Sequence, residues 1–566
     1  MHRLIGVALL LPLTGFGATE RAGGGHVCIT DRGSVITKLF RHRQELLRRY
    51  GTEAVRPESW ATLPDIGNIA IVDDSEGAVL RPVPFDLQGR TVRFTPSGTD
   101  AAQYAASPQP LAFHAAAAET GTPLVELQDD DARLLGLPFS FPFYGRRYDS
   151  VYVNSDGNLT FTAAESASTP RAVSRAIAGP PRIFGFFSDL DPSRLLAAVR
   201  SFAAADRLVL TWDRVPEYTE FSVGRRQTFQ IALYPDGRIE FHYREITISD
   251  AVVGIAPGQL LNGSTPVDFA TGLGTATSGA MAEVFSSATD TDEVAISQRF
   301  YRNHDDAYDF IVVFNNMDLR FPPPGFAAEI NVRNRVLGIG NLLRPGPVFD
   351  TGAQWGSATR LGSFLNMGPL SQYPVNPKDV IALFGASRNT TLSVLGQESG
   401  HRFLAYPRYR NPLTGLPSLD LLGRQQAHWS FFFNSDASVL EGNRIQDLGE
   451  GRSPRFITTA TVERYNAFDQ YLMGLRAASD TPPSFLVRSP STFFSPGSEP
   501  QAGISFDGAR QDVTVQMIID AEGRRSPDST VAQKHFQFAV LLLVREGTQP
   551  TAAELARMET LRLEWE

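Results

Sequence analysis

The sequence is nearly without cysteine. Cys28 is the only one, so no intramolecular disulfide can form and no thiolate cluster can hold a metal. Any bound metal must be taken by histidine, aspartate or glutamate, and Cys28 is expected to be a buried, inert thiol. The residues before it, Gly24-Gly25-His26-Val27, lack the small-residue pattern that lipid attachment to a cysteine needs. Blocks of lysine or arginine are missing too. A net charge of −9 spread over 566 residues makes no field that collects phosphate backbones, so nucleic acid is not an expected partner. Beyond the N-terminus no apolar run approaches the roughly 20 residues that cross a bilayer, and the best, 536–544, is far too short. A G-x-S-x-G elbow, a phosphate-cradling glycine loop with lysine and a catalytic-cysteine setting are all absent, which removes those reaction classes.

What is present is globular in composition, with 42% hydrophobic, 20% charged and 10% aromatic residues. A single core stops growing near roughly 250–300 residues, so a chain of this length divides into two or three domains. His2 and Arg3, an apolar run over 4–16 and the small Gly17 and Ala18 follow signal-peptide order. Residues 1–18 are therefore expected to be removed, and the mature chain to be secreted, extracellular or periplasmic, without a membrane span. Residues 19–118 read as an N-terminal region and linker. Within it, 36–50 has the spacing of an amphipathic helix, with Leu39, Leu46 and Leu47 near one stripe. Short β-rich runs follow over 68–96, and the Ala-, Ser- and Pro-rich stretch 99–118 reads as the linker proper.

Over 119–288 large apolar residues recur at every second position between closely spaced turns. Phe139-Ser-Phe-Pro-Phe-Tyr-Gly, Val151-Tyr-Val-Asn-Ser-Asp-Gly, Leu208-Val-Leu-Thr-Trp and Thr228-Phe-Gln-Ile-Ala-Leu-Tyr show the pattern, with Pro235-Asp236-Gly237 as a hairpin turn. Many short antiparallel strands of this kind predict an all-β sandwich. The segments "LPFSFPFYGRRYDSVYVNSDGNLTF", "FGFFSDLDP" and "TFQIALYPDGRIEFHY" followed by "VGIAPG" resemble the nidogen-like extracellular domain, in its order. That resemblance implies binding or scaffolding without a reaction. Asp189 and Asp191 read as turn residues rather than as calcium ligands, because the oxygen set is incomplete. An exposed polar connection is expected over 286–293.

In 289–566 the pattern changes to an α+β domain. Residues 308–314 read as a buried strand, 380–384 as a short apolar segment, and a helix capped by Thr390 or Thr391 ends before Pro407. It contains Gln397-Glu398-Ser399-Gly400-His401. Residues four apart on a helix share one face, which is how two histidines of a zinc-peptidase helix reach one metal while the intervening glutamate acts on the bound water. Here the first of the two positions is Gln397. "VLGQESGHRFLAYPRY" resembles the zinc-binding helix of secreted bacterial metallopeptidase-like proteins of the metzincin type, and "LLGRQQAHWSFFFNSDASVLEGN" resembles the leishmanolysin-type segment that brings a third ligand. The zincin-like resemblance implies Gln397, His401 and His428 as metal positions, Glu398 as general base, and Zn²⁺ as cofactor. Leu440 stands where a methionine-containing turn belongs, and "ERYNAFDQYLMGL" resembles the closing helix. Asp436, Glu441 and Asp469 are alternative oxygen ligands, although turn or helix-surface roles suit each of them better.

An amide oxygen is a poorer zinc donor than an imidazole. The expected function is a secreted zinc-metallopeptidase-like protein, weakly active or a pseudoenzyme, acting on or holding a protein or peptide. The alternative is a non-catalytic extracellular adhesion or polypeptide-binding protein.

Overall fold

Two β-sheets are dictated by the alternation over the first half of the chain. The computed structural model describes residues 32–51, 63–167, 171–219, 222–259, 264–321, 325–339, 348–403 and 407–566. The segment expected to be a signal peptide, and Cys28, lie outside the described residues. Two units are formed, one mainly of Pro82–Ser287 and one of Ala288–Glu566 together with Glu20–Leu46 and Ala54–Arg81.

The first unit is a sandwich of an eight-stranded and a seven-stranded sheet. The larger sheet runs in the order Leu273–Thr277, Gln103–Pro110, Arg90–Ser97, Ile239–Glu245, Arg226–Leu233, Arg207–Pro216, Ala198–Ala204, Thr122–Pro123, all antiparallel. The smaller is built around the hairpin Ala132–Phe143/Arg146–Asn154, followed by Asn158–Thr160, Arg182–Phe187 and Ala251–Ala256. Inward residues of both sheets, among them Phe94, Phe141, Val153, Trp212 and Phe241, share one core. Trp212 stacks on Phe229 at 5.0 Å, and its indole N–H donates to the Ser155 carbonyl at 3.2 Å, so the buried polar atom is satisfied. Gly157 takes a left-handed φ of 70° in the Asp-Gly turn, and a Cβ there would lie 2.2 Å from the Phe186 carbonyl oxygen.

The stretch read as a linker is structured. Gln103–Pro110 pairs along its whole length with Arg90–Ser97 but only at two positions with Leu273–Thr277. An incompletely paired side accommodates Pro108 and Pro110, which is why proline misled the sequence reading. The polar connection expected over 286–293 is also structured. Ser286 exchanges backbone hydrogen bonds with Val83, Asp290–Thr291 pairs with Val79–Leu80, and buried Asp292 caps helix Glu293–Phe300 by accepting from the Val294 and Ala295 amides.

The second unit holds a five-stranded sheet in the order Ala70–Asp73, Phe538–Val544, Phe310–Asn315, Ser363–Pro369, Ala328–Asn331. The first four are parallel and the last antiparallel. Central strands such as FIVVFN and FAVLLLV are continuous apolar runs because both faces are covered. One face packs with Val294, Ile296 and Phe300 of Glu293–Phe300, the other with Val394 and Leu395 of helix Thr391–His401 and Met558 and Leu561 of helix Ala552–Trp565. A further aromatic cluster around Trp429, Phe431, Phe433, Phe456 and Phe485 supports the segment after the Thr391–His401 helix. Among the described residues, no helix is long and apolar enough to cross a membrane.

Candidate functional site

Helix Thr391–His401 starts where its sequence says it should. Thr390 accepts from the Ser393 amide at 3.1 Å, and the Ser393 hydroxyl accepts from the Thr390 amide at 2.8 Å, a reciprocal cap. Every residue from Val394 to His401 is buried. Two glycines let neighbours close on the helix. The Tyr465 hydroxyl donates to the Gly396 carbonyl, and a Cβ at Gly400 would sit 2.9 Å from Leu440 Cδ2 and 3.2 Å from Tyr465 Cε1. Leu440, at the position of the expected turn methionine, thus packs directly beneath the helix.

The structure brings Gln397, His401 and His428 together, as i and i+4 on one helix face meet a residue from the following segment. The rings of His401 and His428 lie 4.9 Å apart at 88°. His428 Nδ1 is 2.8 Å from the Arg424 carbonyl, which can only accept, so Nδ1 carries the proton and Nε2 holds a lone pair. Gln397 Nε2 donates to that lone pair at 3.1 Å. Neither ring nitrogen of His401 has a hydrogen-bond partner among the described residues. Gln397 is 1% exposed, and Glu398, His401 and His428 are 0% exposed, so the corner is sealed from solvent. Burial pushes His401 down to about 4 and, with the His401 and Arg424 charges adding to it, holds His428 well below the usual imidazole range.

The alternative oxygen ligands are turned to other work. Asp436 is paired to Arg444 at 2.6 Å, Glu441 is paired to Arg424, and buried Asp469 caps helix Ala467–Met473 while accepting from Trp429 Nε1 at 2.8 Å and Ser438 Oγ at 2.6 Å. Asp469 therefore ties down both the neighbour of His428 and the segment bearing Leu440. Gln425, Gln426, Asp436, Ala437 and Glu441 all have left-handed φ between 50° and 57°, so the backbone flanking His428 and Leu440 is strained. In the sandwich unit, Asp189 and Asp191 are engaged by arginines. The Arg171 guanidinium reaches Asp189 at 2.9 Å and Asp156 at 2.7 Å, and Asp191 accepts from the Ser193 amide at 3.0 Å and from Arg194 at 2.5 Å.

Sequence reading missed the Arg424 carbonyl, four residues before His428, which no side-chain pattern reveals. It also passed over His114, Glu240 and His242, although Glu-x-His on a strand puts two donors on one face.

A NIDO-related family model matches residues 103–308. Alpha-tectorin of Gallus gallus is 28% identical over 156 residues, covering 23% of this chain and 7% of that protein, so the chain spans a small part of this relative. No solved structure matches the chain. The sandwich unit thus carries a NIDO-related domain, and the family match ends at residue 308, before the helix that holds Gln397.

Proposed function

We propose that the chain is an extracellular, non-catalytic polypeptide-binding protein, in which a NIDO-related sandwich accompanies a zincin-like unit that has lost its hydrolytic metal centre. One observation carries this reading: the Gln397 amide donates to His428 Nε2, the lone pair that a metal at this corner would take. The donor set, two imidazoles and an amide, does not fit a hydrolytic zinc centre. Zinc makes a usable nucleophile by lowering the pKa of bound water toward about 7, and an amide in place of an imidazole weakens the hold on the ion that would supply Glu398 with it. The expected signal segment 1–18 and the nidogen-like resemblance support export.

A second reading, a residual zinc peptidase with Gln397, His401 and His428 as ligands and Glu398 as base, is favoured by His401. Both of its ring nitrogens are buried and without a partner among the described residues, and such atoms call for one. The experiment compares zinc content and cleavage of an unfolded protein substrate for the purified protein, His401→Asn and Gln397→His. The non-catalytic reading expects no chelator-sensitive cleavage by the wild type and no zinc that His401→Asn removes. Chelator-sensitive cleavage by the wild type that is lost together with its zinc in His401→Asn, and lost as well in the added variant Glu398→Gln, overturns it in favour of the peptidase.

A further inference from the structure

The outer face of the eight-stranded sheet carries another group of metal-competent side chains. Glu240 and His242 are two apart on Ile239–Glu245 and so share a face. His242 is opposite Thr91 and Gln230 on the two neighbouring strands, and Glu240 is opposite Arg93. Residues 111–120 cover this face, with Ala117 of helix Ala115–Thr120 packed on Val209, Ala232 and Tyr234. His114 opens that helix and is clamped from both sides. The Gln230 side chain accepts from the His114 amide at 2.8 Å and donates to its carbonyl at 3.0 Å, while also donating to Thr211 Oγ1 at 3.0 Å.

The result is a preset constellation. The rings of His114 and His242 stand 5.0 Å apart at 84°, and one ligand atom from each of His114, Glu240 and His242 lies within 4.8 Å of the others. Glu240 Oε1 is taken by Arg93 at 2.7 Å and Arg238 at 3.2 Å, whereas Oε2 accepts from the Tyr234 hydroxyl at 2.9 Å and lies 3.6 Å from His242 Nε2. The same Tyr234 hydroxyl is 3.3 Å from His114 Nε2, and Thr91 Oγ1 is 2.8 Å from His242 Nδ1. His242 is 0% exposed, and its Nε2 has no hydrogen-bond partner among the described residues. Burial holds both imidazoles below their usual range, so at neutral pH each offers a lone pair.

We propose that His114, Glu240 and His242 bind a divalent transition ion of the zinc class, which fastens residues 111–120 to the sheet. Two imidazoles and one carboxylate are a good zinc donor set, and three protein ligands leave a position open on the side of half-buried His114. The nearby cations oppose the ion only weakly: the Arg93 and Arg238 side chains are 37% and 32% exposed and sit on Oε1, away from the ligand oxygen, and Arg207, which acts on His114, is 36% exposed and paired with Asp206.

The test is Zn²⁺ and Co²⁺ binding to the full chain by chelator competition, for the wild type, His114→Ala, His242→Asn and His401→Asn. His114→Ala changes a half-buried covering residue and leaves the sandwich core intact, so loss of fold does not confuse the result. The expected outcome is one bound ion whose affinity falls by ~100-fold or more in His114→Ala and His242→Asn, beyond the loss typical of outer-shell changes, and is unchanged in His401→Asn. Zinc should also raise the melting temperature of the wild type but not of His114→Ala. Absence of a bound ion in the wild type, or binding that His114→Ala leaves unchanged, overturns the proposal. Zinc lost only in His401→Asn does so as well and moves the metal to the second unit.

Discussion

His401 and His428 are buried as neutral rings, and their protonation therefore acts on stability with a definite sign. An unfolded imidazole titrates near 6.5, whereas folded His401 is pushed down to about 4 by burial. Below about pH 6.5 the unfolded chain gains a proton that the folded one refuses. The stability is complete above that pH and is lost as pH falls toward 4, by up to about 1.4 kcal/mol per pH unit for each such ring. Thermal unfolding of the wild type and His401→Asn between pH 7 and pH 4 should show a shallower decline in the variant. Gln397→His exchanges the amide for an imidazole on the same helix face, and chelator competition should find zinc affinity at this corner raised by about tenfold or more. The convergence of Gln397, His401 and His428 was legible, because the i, i+4 relation and the His-Trp context are local. The hydrogen bond from Gln397 to His428 was not, since it depends on a tautomer set by a backbone carbonyl.

Helix Thr391–His401 contains two glycines that the sequence does not distinguish and the structure does. A Cβ on Gly396 would meet its nearest neighbours, Tyr465 Oη, Val439 Cγ2 and Trp565 Cη2, at 3.7 to 3.9 Å, ordinary contact distances. Gly396→Ala should thus raise stability by up to about 1 kcal/mol through helix propensity. At Gly400 the same methyl group presses on Leu440 at 2.9 Å and on the Tyr465 ring at 3.2 Å, and Gly400→Ala should cost about 1–3 kcal/mol by overpacking. Denaturant unfolding of the two variants checks both signs. The cap at Thr390 and the helix itself were readable from short-range chemistry. The strand Gln103–Pro110 was not, because its pairing partners, which override its alanine- and proline-rich composition, are set by tertiary structure.

At the scale of the whole molecule, the alternation over 119–288 pointed to a sandwich but left out its strands Arg90–Ser97 and Gln103–Pro110, and it did not announce the membership of the second unit. Ala70–Asp73 and Val79–Leu80 belong with residues after 288, a pairing that no local pattern announces. A fragment starting at residue 294 would lack both strands and leave one edge of Phe538–Val544 open. It should aggregate on expression, whereas a fragment of residues 82–287 should be soluble and resist proteolysis. Protease should also spare residues 286–293 in the full chain, since Asp292 and Glu293 are buried there.

The parallel pairing of Ala70 with Leu541 also sets an order of events on the ribosome. The sandwich lies wholly between the two strands in the sequence and can close while the rest is still being made, but the five-stranded sheet must wait until Phe538–Val544 has been translated. Until then Ile69, Ile71 and the apolar strand Phe310–Asn315 stay without their central neighbour Phe538–Val544. A nascent chain stalled near residue 520 should therefore display a protease-resistant sandwich and an unfinished, chaperone-dependent second unit, and emergence of Phe538–Val544 should be the step that completes the sheet.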